Sequence, residues 1–189
     1  MDKNGQPEGK GLKEYGIIFL SGTISNGVSE NVCKDIIEYN LSGSTDHIQM
    51  IINSPGGLCP DGFAIIDIME WSRLPIYTTG VGLIASMSLL IFMTGAKGRR
   101  VITPRTSMLS HRYSAITWGN HSQLIAERKE QDLEHSRIVS HYLKYSNLES
   151  QEKLEQYLLR DVDTWLTPEE ALEFGIVDIV EPLKPDLKK

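Results

Sequence analysis

Apolar residues along this chain fall into short runs between polar turns, and the period of the runs keeps changing. Residues 16–20 (GIIFL) are continuously apolar and predict a short buried strand. Residues 28–39 carry Val32, Ile36, Ile37 and Tyr39 at helical spacing. In residues 47–53, Ile48, Met50 and Ile52 alternate, which is the period of a strand, and the run ends in a Ser-Pro-Gly-Gly turn. A helix is expected over 60–71, with Phe63, Ile66 and Met69 on one face and Pro60 in its first turn, where a missing N–H costs nothing.

Residues 75–81 predict a third strand, and the apolar run 85–93 predicts a buried helix. Short strands follow at 100–102 and 107–110. Residues 119–145 read as a long, charged helix whose apolar positions, Leu133, Ile138, Tyr142 and Leu143, are sparse. A short helix is expected at 151–159. Thr167, Pro168, Glu169 and Glu170 then form a capping box with proline at the first helical position; Gly175 ends that helix and 176–180 closes as a strand. Strands and helices alternate, which is the α/β signature, with helical crossovers covering parallel strands. The expected division is a flexible tail at 1–14, one domain at 15–183 and a short tail at 184–189.

Composition narrows the function classes. At 189 residues the chain is long enough for a substantial core, and its net charge of −6 argues against nucleic acid or an anionic membrane as the main partner. The longest apolar stretch, 81–93, is 13 residues against the roughly 20 needed to span a bilayer. Two cysteines, Cys33 and Cys59, make neither a disulfide framework nor a metal site, so reduced thiols in a cytoplasmic or stroma-like compartment are expected.

Candidate chemistry centres on Ser86, at the junction of a strand and a buried helix, where unpaired backbone N–H groups stabilise an anion. A serine also simply suits a helix start, and the window is not a G-x-S-x-G elbow. A serine nucleophile needs a base. His135 and His141, on the charged helix, read as solvated, and His47 and His121 as surface or capping residues. His111 ends a strand, where α/β folds place reactive groups. Asp163, with Trp165 able to shield it from water, or its competitor Asp161, would orient the imidazole. Gly56 and Gly57 would let backbone approach a ligand, or simply make a tight turn.

Taken together, the segments IINSPGG (51–57), GLIASM (82–87), TGAKGRRVITP (94–104), MLSH (108–111) and DTWLTPEEALEFGIVD (163–178) resemble the proteolytic subunits of the Clp protease, the ClpP family. The resemblance implies an α/β, ClpP/crotonase-like fold with stacked β-sheets and a protruding handle helix, formed by the long helix at 119–145. It implies a serine endopeptidase with Ser86, His111 and Asp163 as its triad, and the N–H groups of Gly57 and Met87 as its oxyanion hole. No cofactor or metal is implied. The implied partners are polypeptide substrates, an AAA+ unfoldase of the Clp type, and further copies or a paralogous subunit in two stacked heptameric rings.

The chain departs from the family pattern at Ser88, where glycine is usual, and at Val162, where arginine is common. The turn after the histidine is RYSAITWGNHSQ, without the family's glycines, and the N-terminal segment is short and polar. Three rivals remain. A non-catalytic ring subunit would lack a triad member. A crotonase-like acyl-CoA enzyme would leave Ser86 and His111 unexplained. A Ser-Lys peptidase would use Lys97 as base.

Overall fold

The computed structural model describes residues 11–182. In chain order it contains β1 (Ile17–Ser21), α1 (Asn26–Ser42), β2 (Ile48–Ser54), α2 (Cys59–Trp71), β3 (Ile76–Ala85) and α3 (Met87–Met93). These are followed by β4 (Arg100–Ile102), β5 (Ser107–Ser110), α4 (His121–Tyr145), α5 (Gln151–Tyr157), β6 (Thr164–Leu166), α6 (Pro168–Glu173) and β7 (Ile179–Val180). The seven strands form one hydrogen-bonded sheet that forks at β3. The first half of β3 lies between β2 and β4, and β4 carries β7 at its outer side. The second half, from Leu83 to Ala85, turns to pair β5. Every pairing is parallel except β5 with β6. The mostly parallel sheet with its covering helices is the α/β class that the alternating pattern predicts.

The fork positions the site. Parallel strands buried on both faces are rich in aliphatic residues, and Ile48, Met50, Ile52 and Ile84 are fully buried. All seven residues of α3 are buried, which explains the apolar run 85–93 as core. Among the described residues no helix is long and apolar enough to cross a membrane. One ion pair is part of this interior. Arg100, 3% exposed, donates from Nε and Nη2 to both Asp178 oxygens, at 2.9 and 2.7 Å, and from Nη1 to the Tyr145 carbonyl. It joins the β4 branch to the segment before β7.

Helix α4 is divided along its length. Its first ten residues, 121–130, are all exposed, whereas Ile138, Val139 and Tyr142 pack into the core. A capping box on Asn120 and Gln123 fixes its start. His141 was expected on the solvated face but is buried: Nε2 meets the Leu90 carbonyl at 2.9 Å, and the ring packs on Tyr145. Burial pushes its pKa down to about 4.

Apart from small shifts of helix and strand ends, four features differ from the sequence reading. Leu12–Tyr15 forms a 3-10 helix inside the stretch expected to be a tail; residues 1–10 and 183–189 lie outside the described residues. Strand β3 continues through Ala85, because Leu83, Ile84 and Ala85 find partners in β5. Strand β6 is absent from the sequence reading altogether. The last strand shortens to Ile179–Val180, because the N–H groups of Ile176 and Val177 turn back to the Ala171 carbonyl of α6.

Candidate active site

Ser86 is the N-cap of α3, held at φ 55° and ψ −128°. Among the described residues it alone of the non-glycines has positive φ. Such a conformation costs on the order of 1–3 kcal/mol and persists only where the surroundings over-determine it. Here they do. The Ser86 N–H donates to the Leu109 carbonyl at 2.9 Å, which fastens it to β5. Behind it, the fully buried Ser88 Oγ accepts from the Ala85 N–H and lies 2.7 Å from the Ser54 carbonyl and 2.8 Å from that of Ala85. The hydroxyl that replaces the family's glycine thus joins the ends of β2 and β3 directly behind the strained turn.

The geometry turns Ser86 Oγ toward β5. It lies 2.7 Å from His111 Nε2. His111 directly follows β5, so its imidazole projects from a strand end that Leu109 has already tied to Ser86. Its Nδ1 has no hydrogen-bond partner among the described residues.

Gly56 and Gly57 close the opposite side. The Ile24 N–H donates to the Gly56 carbonyl at 2.8 Å and the Leu58 N–H to the Ile24 carbonyl at 3.0 Å, which pins the turn at both ends. A Cβ on Gly56 would stand 2.8 Å from Ser86 Cβ and 3.0 Å from the Met87 nitrogen, and one on Gly57 would stand 2.1 Å from the Ile24 oxygen. Only bare backbone fits at this distance. Among the described residues, neither the Gly57 nor the Met87 N–H donates a hydrogen bond.

A cavity of about 90 Å³ opens beside this pair, lined by Gly57, Cys59, Ser86, Met87, His111 and Tyr113 among others. Ile138 and Tyr142 of α4 also line it, and the Glu134 carboxylate near Tyr113, together with burial, pushes the tyrosine pKa up to about 12. Burial, with Glu134 nearby, pushes the Cys59 thiol up to about 11, so it is no competing thiolate at neutral pH. A larger groove of about 640 Å³ lies between α2 and α4, but it contains neither Ser86 nor His111.

Asp163 stands just before β6. Its carboxylate is exposed and makes no hydrogen bond to His111. Trp165 was expected to shield it, but strand alternation puts Thr164 and Leu166 inside and leaves Trp165 58% exposed. The β5–β6 ladder pairs Leu109 with Trp165 and Ser110 with Thr164. Continued one step, that antiparallel register sets His111 opposite Asp163. Asp161 instead pairs with Arg112, 3.0 Å away. Of the other histidines, His47 stacks on Tyr77 and His121 is exposed. Lys97 lies by Arg100 and Tyr145, on the β4 side of the fork. Tyr113 and Arg112 are not singled out by the sequence, the adjacency of Arg112 to His111 being their one available signal, whereas Ser88 shows there as a departure from the family's usual glycine.

Comparison with known proteins identifies the family of this chain. The family model for Clp protease matches residues 8–182. The chain is 34% identical over 166 residues to the ATP-dependent Clp protease proteolytic subunit of Deinococcus radiodurans, covering 87% of this chain and 79% of that protein. A strained serine bonded to a histidine on a forked parallel sheet is therefore set in a known lineage: this chain belongs to the Clp protease family, as a proteolytic subunit of the serine-endopeptidase type.

Proposed function

We propose that the chain hydrolyses peptide bonds through an acyl-enzyme formed on Ser86. The observation that carries the reading is the 2.7 Å contact between Ser86 Oγ and His111 Nε2 at a backbone held open by strain. As Oγ attacks the peptide carbonyl, Nε2 takes its proton and then delivers it to the leaving amine. Water, activated by the same imidazole, attacks the acyl carbon and releases Ser86. The N–H groups of Gly57 and Met87 receive the oxyanion, since they have no other acceptor and flank the nucleophile. Asp163 holds Nδ1–H and stabilises the imidazolium. Opposed residues of an antiparallel ladder have Cβ atoms about 5 Å apart, and the β5–β6 register, continued one step past Ser110 and Thr164, would bring Asp163 within that range of His111.

A Clp-type protease is an oligomer that works with a partner unfoldase. The finer assembly belongs to the same proposal: two stacked heptameric rings, of this chain alone or mixed with a paralogous subunit, with exposed residues 121–130 of α4 serving as the handle between rings. The unfoldase is of the AAA+ type, and the compartment is reducing, cytoplasmic or stromal, in keeping with the free thiols of Cys33 and Cys59.

A fluorophosphonate tests the nucleophile directly. Attack by Oγ forms a Ser–O–P bond and expels fluoride, so peptide mapping finds the adduct on Ser86. An adduct elsewhere, or none at all in active protein, contradicts the assignment.

A further inference from the structure

Arg112 immediately follows His111, and its side chain reaches across to the segment that leads into β6. Its Nε–H donates to the Leu159 carbonyl at 2.6 Å, and Nη1 lies 3.0 Å from Asp161 Oδ1. Both acceptors lie just upstream of Asp163. The strand that follows is three residues long, and its ladder with β5 ends at Ser110 and Thr164. Past that point no backbone pairing holds residues 161–163 beside His111. Arg112 makes the connection instead.

We propose that Arg112 is a positioning residue: it holds the segment carrying Asp163 against His111, so that the carboxylate meets the imidazole. The inference rests on the triad reading given above. Stability is a poor reason for the contact. The Asp161 side chain is 89% exposed and that of Arg112 45%, and exposed ion pairs contribute little to folding. Direction is what the contact supplies. A guanidinium is a planar fork whose separate N–H groups engage a carbonyl and a carboxylate at once, which fixes the approach of the loop as a lysine ammonium does not. The residue opposite Arg112 in the extended register is Val162, which offers no side-chain partner, so the arginine bonds on either side of it.

The test is steady-state peptide hydrolysis across pH by the assembled protein, with particle size checked by sedimentation. Arg112→Met, Asp163→Asn and the double variant are compared. Misplacement of a catalytic group by about 1 Å costs up to 100-fold, so Arg112→Met should lower kcat by about 10- to 100-fold with KM nearly unchanged. A carboxylate beside an imidazole favours its charged form, so losing the contact moves the acid limb of the rate profile to lower pH. Arg112→Met should shift that limb as Asp163→Asn does, and the double variant should be no slower than Asp163→Asn alone. Arg112→Lys, which keeps the charge but not the fork, should fall between wild type and Arg112→Met, and it decides by the same readouts if the methionine variant does not assemble.

Wild-type kcat and pH profile in Arg112→Met, or losses that multiply in the double variant, would overturn the inference. An unaffected Arg112→Met beside a crippled Asp163→Asn overturns this inference alone. A fully active Asp163→Asn overturns the third member of the triad, and this inference with it.

Discussion

Ser110 pairs with Thr164 at the end of the β5–β6 ladder, and that register, continued one step, sets His111 opposite Asp163. Asp161 lies two positions further along and is engaged by Arg112. The two acidic residues should therefore behave differently. Asp163→Asn should lower kcat by about 10⁴-fold, the order seen when the carboxylate of a serine triad becomes an amide. Asp161→Asn keeps an acceptor for Arg112 at an exposed site and should stay within about threefold of wild type. Peptide hydrolysis by the two variants checks this; the opposite ranking would place the triad carboxylate at 161.

Gly56→Ala tests the close approach of the glycine turn to the nucleophile. Its φ is +92°, and the added methyl would stand 2.7 Å from the Ala85 carbonyl oxygen and 2.8 Å from Ser86 Cβ. Neither neighbour is a flexible side-chain end. Strain of this kind costs on the order of 1–3 kcal/mol, so the variant should still fold. Activity should fall at least about 100-fold, because the displaced atoms are those of Ser86 and the oxyanion donors. Near-normal turnover in a folded variant would remove the turn from the site.

Acid stability should carry the mark of His141. Burial lowers its folded pKa from 6.5 to about 4, the bond to the Leu90 carbonyl and Glu70 opposing and Lys144 assisting. Between those values the unfolded chain binds a proton that the folded chain does not, so stability falls as pH drops from about 6.5 to 4 and levels off below. The loss amounts to about 3 kcal/mol at most. His141→Gln, which retains a donor for Leu90, should flatten the melting temperature across this window. An unchanged slope would assign the acid sensitivity to other groups.

Asp178 acts through a different pair. Burial raises its pKa, but hydrogen bonds and charge from Arg100 outweigh this and hold the carboxyl below its usual range. Asp178→Asn would leave a buried guanidinium without its counter-charge, at a cost of about 3–5 kcal/mol. Urea unfolding at neutral pH measures it. A loss below about 1 kcal/mol would mean that water or a rearranged neighbour replaces the carboxylate.

Long-period features of this fold were legible in the sequence, and short paired ones were not. The strand expected at 47–53 by alternation is found at Ile48–Ser54, and the capping box on Thr167 and Glu170 marked the start of α6 with hydrogen bonds that the structure contains. Strand β6 was hidden because three residues between a turn and a cap hold too little pattern; it exists because β5 offers an antiparallel partner. The same gap left Asp161 and Asp163 undivided locally, since their difference lies in register and not in composition. His141 looked solvated because α4 is charged overall, yet the lower half of that helix packs beside α3, whose carbonyl at Leu90 gives the imidazole a partner. Ser88 appeared only as a departure from the family's glycine, and its hydrogen bonds make it part of the support behind Ser86.

The central claim is that Ser86 and His111 act together as nucleophile and base. Hydrolysis of a short fluorogenic peptide by the purified chain, beside its Ser86→Ala variant, tests it most directly, since a short peptide needs no unfoldase to reach the site. When triad members act as a unit, loss of the nucleophile costs about 10⁶-fold in kcat, so the variant should be silent. A Ser86→Ala protein that keeps more than about one-hundredth of wild-type turnover would contradict the account.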